Sequence, residues 1–146
     1  MSFSNAAENA LLLHLFNNSP YANIGDATGL PGAASAGVFY VALHTADPGE
    51  AGAQNTNEIA YTGYARVAVA RTAGGWSVVG NAVSNVGAVT FGACTAGSGT
   101  ATHFSVGTAA TGAGNLLLSG SLLGSLAISS GITPAFSAGQ LQATLD

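Results

Sequence analysis

The stretch LHTADPGE, Leu43–Glu50, places His44, Asp47 and Glu50 close together, and Glu58 follows on the same polar run. Three kinds of work suit such a group. An oxygen-rich loop can take calcium, although this spacing matches neither an EF-hand nor a zinc pattern. Paired carboxylates can hydrolyse a glycoside, and Asp26, Asp47, Glu50 and Glu58 are the acids available for it. All four, however, fall in turn-like or linker-like sequence rather than at the ends of strands. The third possibility is structural: Asp47-Pro48-Gly49 makes a turn, and the acids face solvent, an arginine or a neighbouring molecule. Cys94 and His103 could form a thiolate–imidazole pair if the fold joined them. Yet Cys94 sits in a run of small residues, CTAGSGT, without a nucleophile signature. The reading favoured is that no residue is catalytic, none binds a metal and no cofactor is required.

Other chemistries fall by absence. The chain has no lysine, so it has neither a Walker phosphate loop nor a Schiff-base amine. No Gly-x-Ser-x-Gly elbow occurs, and Gly112-Ala113-Gly114 lacks the third glycine of a dinucleotide fingerprint. Nucleic-acid binding needs a basic stripe, and two arginines at a formal net charge of −4 do not make one. No apolar run reaches the ~20 residues of a membrane-spanning helix, so no membrane partner is expected. A secretory signal is not expected either, because Glu8 rather than a cation precedes Ala10–Phe16 and His14 interrupts that run.

The arginines lie in YTGYARVAVAR, Tyr61–Arg71. Read as a strand, it puts Arg66 on a face with Ala68 and Ala70, which leaves room for a flat guanidinium. Arg66 is expected to pair with a carboxylate: Asp47, Glu50 or Glu58 of its own chain, or one from a neighbouring subunit. Arg71 ends the strand, and its head is expected to reach solvent. Asp47, Glu50, Glu58, Arg66 and Arg71 are therefore the candidate interface residues.

These side chains need a scaffold, and its class is legible. Asn5–Phe16 reads as a short helix with an Asn5/Glu8 capping box, stopped by Asn17-Asn18-Ser19-Pro20. Gly25–Gly37 is linker-like. Beyond it the texture is β: Val38–Thr45, Tyr61–Arg71, Trp76–Val79, Val83–Phe91, Ala101–Gly107, Leu116–Leu122, Leu126–Ile128 and Leu141–Leu145. Ala73-Gly74-Gly75 and Gly80-Asn81 read as hairpin turns. The expected fold is all-β, an antiparallel jelly-roll-like sandwich or barrel with a short N-terminal α-helix. Residues 1–37 are expected to form a helix and linker arm, and 38–146 the β-sandwich domain.

Composition adds a hint about function. Charged residues are 5% of the chain, against roughly 25% in an average soluble domain. A standard interface patch on such a surface buries about one charge, so little desolvation opposes association. A homo-oligomer, dimer or trimer, is expected on that ground.

Several strings also resemble a family of small tailed-bacteriophage virion proteins. They are LHTADPGE, YTGYARVAVAR, HFSVGTAATGAGNLLLSG (His103–Gly120) and ITPAF (Ile132–Phe136). Members are often labelled tail fibre proteins. A fibre shaft needs repeats or heptads, and this chain has neither. In that respect it is more similar to capsid cement or decoration proteins. That resemblance implies a virion structural protein on the capsid exterior, made in the host cytoplasm, non-catalytic, with the major capsid protein as partner. A tail-associated, receptor-binding module is the alternative. The loop Ala46–Ala60 would serve as an attachment arm.

Overall fold

In the computed structural model, which describes residues 2–145, a hydroxyl sets the first element. Ser4 is extended, and its side chain accepts the Ala7 N–H at the start of helix α1 (Asn5–Asn17). The cap thus lies one residue before the Asn5 that the spacing suggested. Asn18 ends the helix in the left-handed region (φ 56°), a conformation asparagine tolerates. Its amide then brackets Ala33, donating to the carbonyl and accepting from the N–H. Glu8, Leu12 and Phe16, each four residues apart, form the buried stripe of α1.

The remainder is β, and every strand pairing whose register is defined is antiparallel. The strands are β1 (Val38–His44), β2 (Val67–Ala70), β3 (Trp76–Val79), β4 (Ala82–Asn85), β5 (Val89–Thr90), β6 (Ser98–Gly107), β7 (Leu116–Ser129), β8 (Ala135–Phe136) and β9 (Gln142–Thr144). They form a four-stranded sheet in the order β2-β1-β6-β7, a three-stranded sheet β3-β4-β9 and a two-stranded ribbon β5-β8. The chain is all-β with antiparallel sheets and one short N-terminal helix, as composition and periodicity indicated.

Two compact units are built from interleaved segments. One contains the N-terminal segment through Val38, Ala70–Gly87 and the chain from Ala138 on. Its core joins Leu12 and Phe16 of α1 to Trp76, Val83 and Leu141. Phe16 and Trp76 meet edge-to-face with ring centroids 5.1 Å apart, a favoured aromatic geometry. The other unit, Phe39–Val69 with Ala88–Ser137, holds the four-stranded sheet and the ribbon. Val41, Leu43, Ile59, Phe91, Phe104, Val106 and Ile128 are buried in it.

Local chemistry explains where strands depart from the periodicity. Tyr61–Arg71 is not one strand: Gly63 takes φ 102°, Tyr64 N–H bonds back to the Tyr61 carbonyl, and regular pairing starts only at Val67. Val83–Phe91 is cut in two because the Asn85 amide donates to the Gly87 carbonyl and accepts from the Leu141 N–H. Ala73-Gly74-Gly75 is a turn but closes no hairpin, since β2 and β3 belong to different sheets. Gly80-Asn81 does close one, with Val79 opposite Ala82. Leu116–Leu122 and Leu126–Ile128 are parts of the single strand β7. Between them the register on β6 jumps from Ser121 opposite His103 to Leu126 opposite Ala101. That jump is a bulge, which keeps Leu122–Ser125 out of the ladder.

Candidate functional site

The site is built in the larger sheet's unit, around the end of β1 and the run that follows it. Glu58 bridges to His44, which brings the far end of the Ala46–Ala60 loop back against β1. Arg66, just before β2, meets Glu58 with a two-pronged grip: Nε donates to Oε1 and Nη2 to Oε2, each at 2.7 Å. Tyr64 Oη donates to the same Oε1 at 2.9 Å and accepts the Leu43 N–H at 3.0 Å. The other guanidinium protons reach the carbonyls of Ala109 (2.9 Å) and Gly112 (2.6 Å). Planar, forked and always charged, arginine suits these four hydrogen bonds better than lysine would. The Arg66 side chain is 2% exposed and that of Glu58 16%. The hydrogen bonds that Arg66 donates to Glu58 hold its guanidinium pKa above the ordinary value. Burial holds the Tyr64 phenol pKa well above its ordinary value. Of the carboxylates open to Arg66 by sequence, Glu58 is the one it holds.

The same loop is tied down along its second half. Gln54 is fully buried; its Nε2 donates to the Tyr40 carbonyl and its Oε1 accepts the Ala109 N–H. A Cβ on Gly107 or Gly114 would run into the Gln54 side chain, so both positions need glycine. Ile59 is buried, and its N–H bonds to the Leu43 carbonyl. Within the expected attachment arm, residues 54–59 are therefore tied into the unit, and Arg66 clips them to the 108–115 turn.

His44 is buried between Thr56 and Ser105. One ring nitrogen contacts the Thr56 carbonyl at 2.8 Å, so it carries the proton; the other accepts from the Ser105 hydroxyl at 2.7 Å. Burial lowers its pKa, outweighing the Thr56 carbonyl and Glu58, which both favour protonation. Both nitrogens are occupied, so the ring is a structural strut. Cys94 is buried, with its thiol directed at the carbonyls of Ala96 and Gly97, whereas His103 bonds Thr102. The imagined Cys94–His103 pair does not form. Among the described residues, no three His, Cys, Asp or Glu side chains gather as a metal site.

Asp47 and Glu50 are exposed. Asp47 accepts the Gly49 N–H, making the expected turn. With Gly49 and Leu116–Ser119 of β7 they line an open cleft of about 440 Å³. Arg71 belongs to the other unit. Its head does not run out to solvent but donates to the His14, Leu15 and Ala36 carbonyls, which satisfies the C-terminal end of α1. Tyr64, Gln54 and Ser105 are structural partners that sequence reading missed. Tyr64 had a weak signal, standing two residues before Arg66; the other two had none.

A family model described as podophage GP4 fiber I protein gp80 matches residues 2–144. The chain belongs to this family. It is a bacteriophage virion structural protein, which agrees with the strings LHTADPGE and YTGYARVAVAR. No curated protein matches the chain. No helix among the described residues is long and apolar enough to cross a membrane.

Proposed function

We propose that this gp80-family protein is a non-catalytic subunit of the phage's fibre apparatus, working through its surface contacts. One observation carries the reading: apart from Asp47 and Glu50 at the open cleft, the candidate side chains able to do chemistry are used inside the molecule. Glu58, Arg66 and Tyr64 satisfy one another, His44 is held at both nitrogens, and Cys94 is buried. What faces outward is hydroxyl, amide and apolar surface with few charges. Contacts on such a surface lose little to salt, because screening acts on charge, with a Debye length of ~8 Å at physiological ionic strength. The family's description as a fibre protein favours the tail over the head.

Capsid decoration is the second reading, with the major capsid protein as partner. The absence of repeats and heptads favours it, since a fibre shaft would show one or the other. Co-sedimentation of the purified protein with isolated tails, and separately with heads lacking it, tests both. Saturable binding to tails alone supports the fibre reading. Saturable binding to heads alone overturns it in favour of decoration.

A further inference from the structure

Strand β7 is the outer strand of the four-stranded sheet: β6 covers one of its edges, and no strand follows it in the order. It is fourteen residues long, LLLSGSLLGSLAIS, with no charge and no proline. Proteins ordinarily blunt such an edge with lysine, proline or a short strand. Here two register shifts against β6 interrupt it, one skipping Leu117 and one skipping Leu122–Ser125; Leu123 is 101% exposed and Leu117 39%. Leu117, Ser121 and Leu123 are open, and Leu118, Ser119, Gly120 and Leu122 half-buried.

The sequence at this edge is a palindrome. Reading outward from Gly120, Ser119 mirrors Ser121, Leu118 mirrors Leu122 and Leu117 mirrors Leu123. An antiparallel pair of identical strands related by a two-fold axis opposes residues whose numbers have a constant sum. With the axis at Gly120, every residue from 117 to 123 faces its own kind. Gly120 packs against its own sheet, with the Phe104 ring of β6 2.9 Å from where a Cβ would stand.

We propose that two copies of this chain pair edge to edge through β7, antiparallel and centred on Gly120, joining their sheets into one of eight strands. This supplies the surface for the expected self-association and holds whether the protein serves tail or head. Charge favours it: a two-fold interface sets each charged group near its own copy, and this strand has none to repel. Area sets its strength. Seven paired residues span about 24 Å at ~3.4 Å each, and a sheet is ~10 Å deep, giving a footprint of roughly 240 Å² per copy. That is well under the ~800 Å² of a standard interface, so the dimer is reversible. About seven main-chain hydrogen bonds hold it, with Leu117 of each copy against Leu123 of the other. The second copy's Leu123 then lies beside the leucine wall of the 440 Å³ cleft.

Sedimentation velocity over a concentration series tests the register as well as the contact. The wild-type protein should move from 14.2 kDa towards twice that mass. Leu123→Asp should weaken association at least about tenfold, because it buries a carboxylate against leucine at two symmetric places. Leu117→Arg should weaken it similarly. The double variant Leu117→Arg/Leu123→Asp should recover it, since only the Gly120-centred register sets the new arginine against the new aspartate. Circular dichroism checks that each variant is folded, and Leu123 is exposed enough that its replacement leaves the fold intact. A wild type monomeric at every concentration, single variants that associate normally, or a folded double variant that fails to recover would each overturn the proposal.

Discussion

Removing Arg66 should expose how much of the larger unit depends on one side chain. In Arg66→Ala, Glu58 loses both prongs of its partner and keeps the Tyr64 hydroxyl. The Ala109 and Gly112 carbonyls also lose their donors, but Ala109 is only half-buried and Gly112 exposed, so water replaces those bonds at little cost. The main penalty is a carboxylate held at 16% exposure without its counter-charge. Breaking a buried pair from one side typically costs 3–5 kcal/mol, and the retained tyrosine bond argues for the lower end, about 3 kcal/mol. That is roughly a 150-fold change in the unfolding equilibrium, taken from a total of about 5–15 kcal/mol. Urea titration followed by far-UV circular dichroism and by amide exchange in β1 measures it. The double variant Glu58→Leu/Arg66→Met removes both charges and should recover at least about 1 kcal/mol relative to Arg66→Ala. A loss under about 1 kcal/mol for Arg66→Ala, with no recovery in the double variant, would refute the view that this pair clips the loop.

Three further outcomes follow from other contacts. His44 has a lowered pKa, so its neutral form belongs to the folded state; the stability it contributes is complete above about pH 6.5 and is lost as pH falls below that value. Denaturant titrations between pH 8 and 5 should show the decline beginning near 6.5, at most about 1.4 kcal/mol per pH unit, and a flat profile contradicts it. Gln54→Leu leaves the Tyr40 carbonyl and the Ala109 N–H unpaired, costing about 2–4 kcal/mol and speeding hydrogen exchange at the Ala109 amide. Arg71→Ala frees three carbonyls at and beyond the end of α1; a loss of about 1–2 kcal/mol and faster exchange in the last helical turn are expected, with Arg71→Lys restoring only part.

Much of the local structure was readable from the chain. Helix α1, the strand Trp76–Val79 and the Gly80-Asn81 hairpin each rest on backbone preference and neighbouring side chains, which act over a few residues. Composition was legible in a narrower sense: a chain without lysine and with two arginines has no Walker phosphate loop, Schiff-base amine or basic stripe. What sequence alone left open depended on partners distant along the chain. Arg66 could have met Asp47, Glu50 or Glu58; the bridge between Glu58 and His44 sets Glu58 within its reach. Arg71 was expected to reach solvent, yet the packing of its unit brings the end of α1 to it. Tyr61–Arg71 alternates like a strand, but Gly63 packs so tightly that a Cβ there would fall 2.2 Å from the Ala93 carbonyl, and the turn wins. The two leucine runs of β7 look separate because periodicity cannot show a bulge: only β6, by pairing with both runs, makes them one strand. Composition and short-range propensity determined the class of the fold. Tertiary packing chose among equivalent partners, because only the closed chain fixes which charges and edges come within bonding distance.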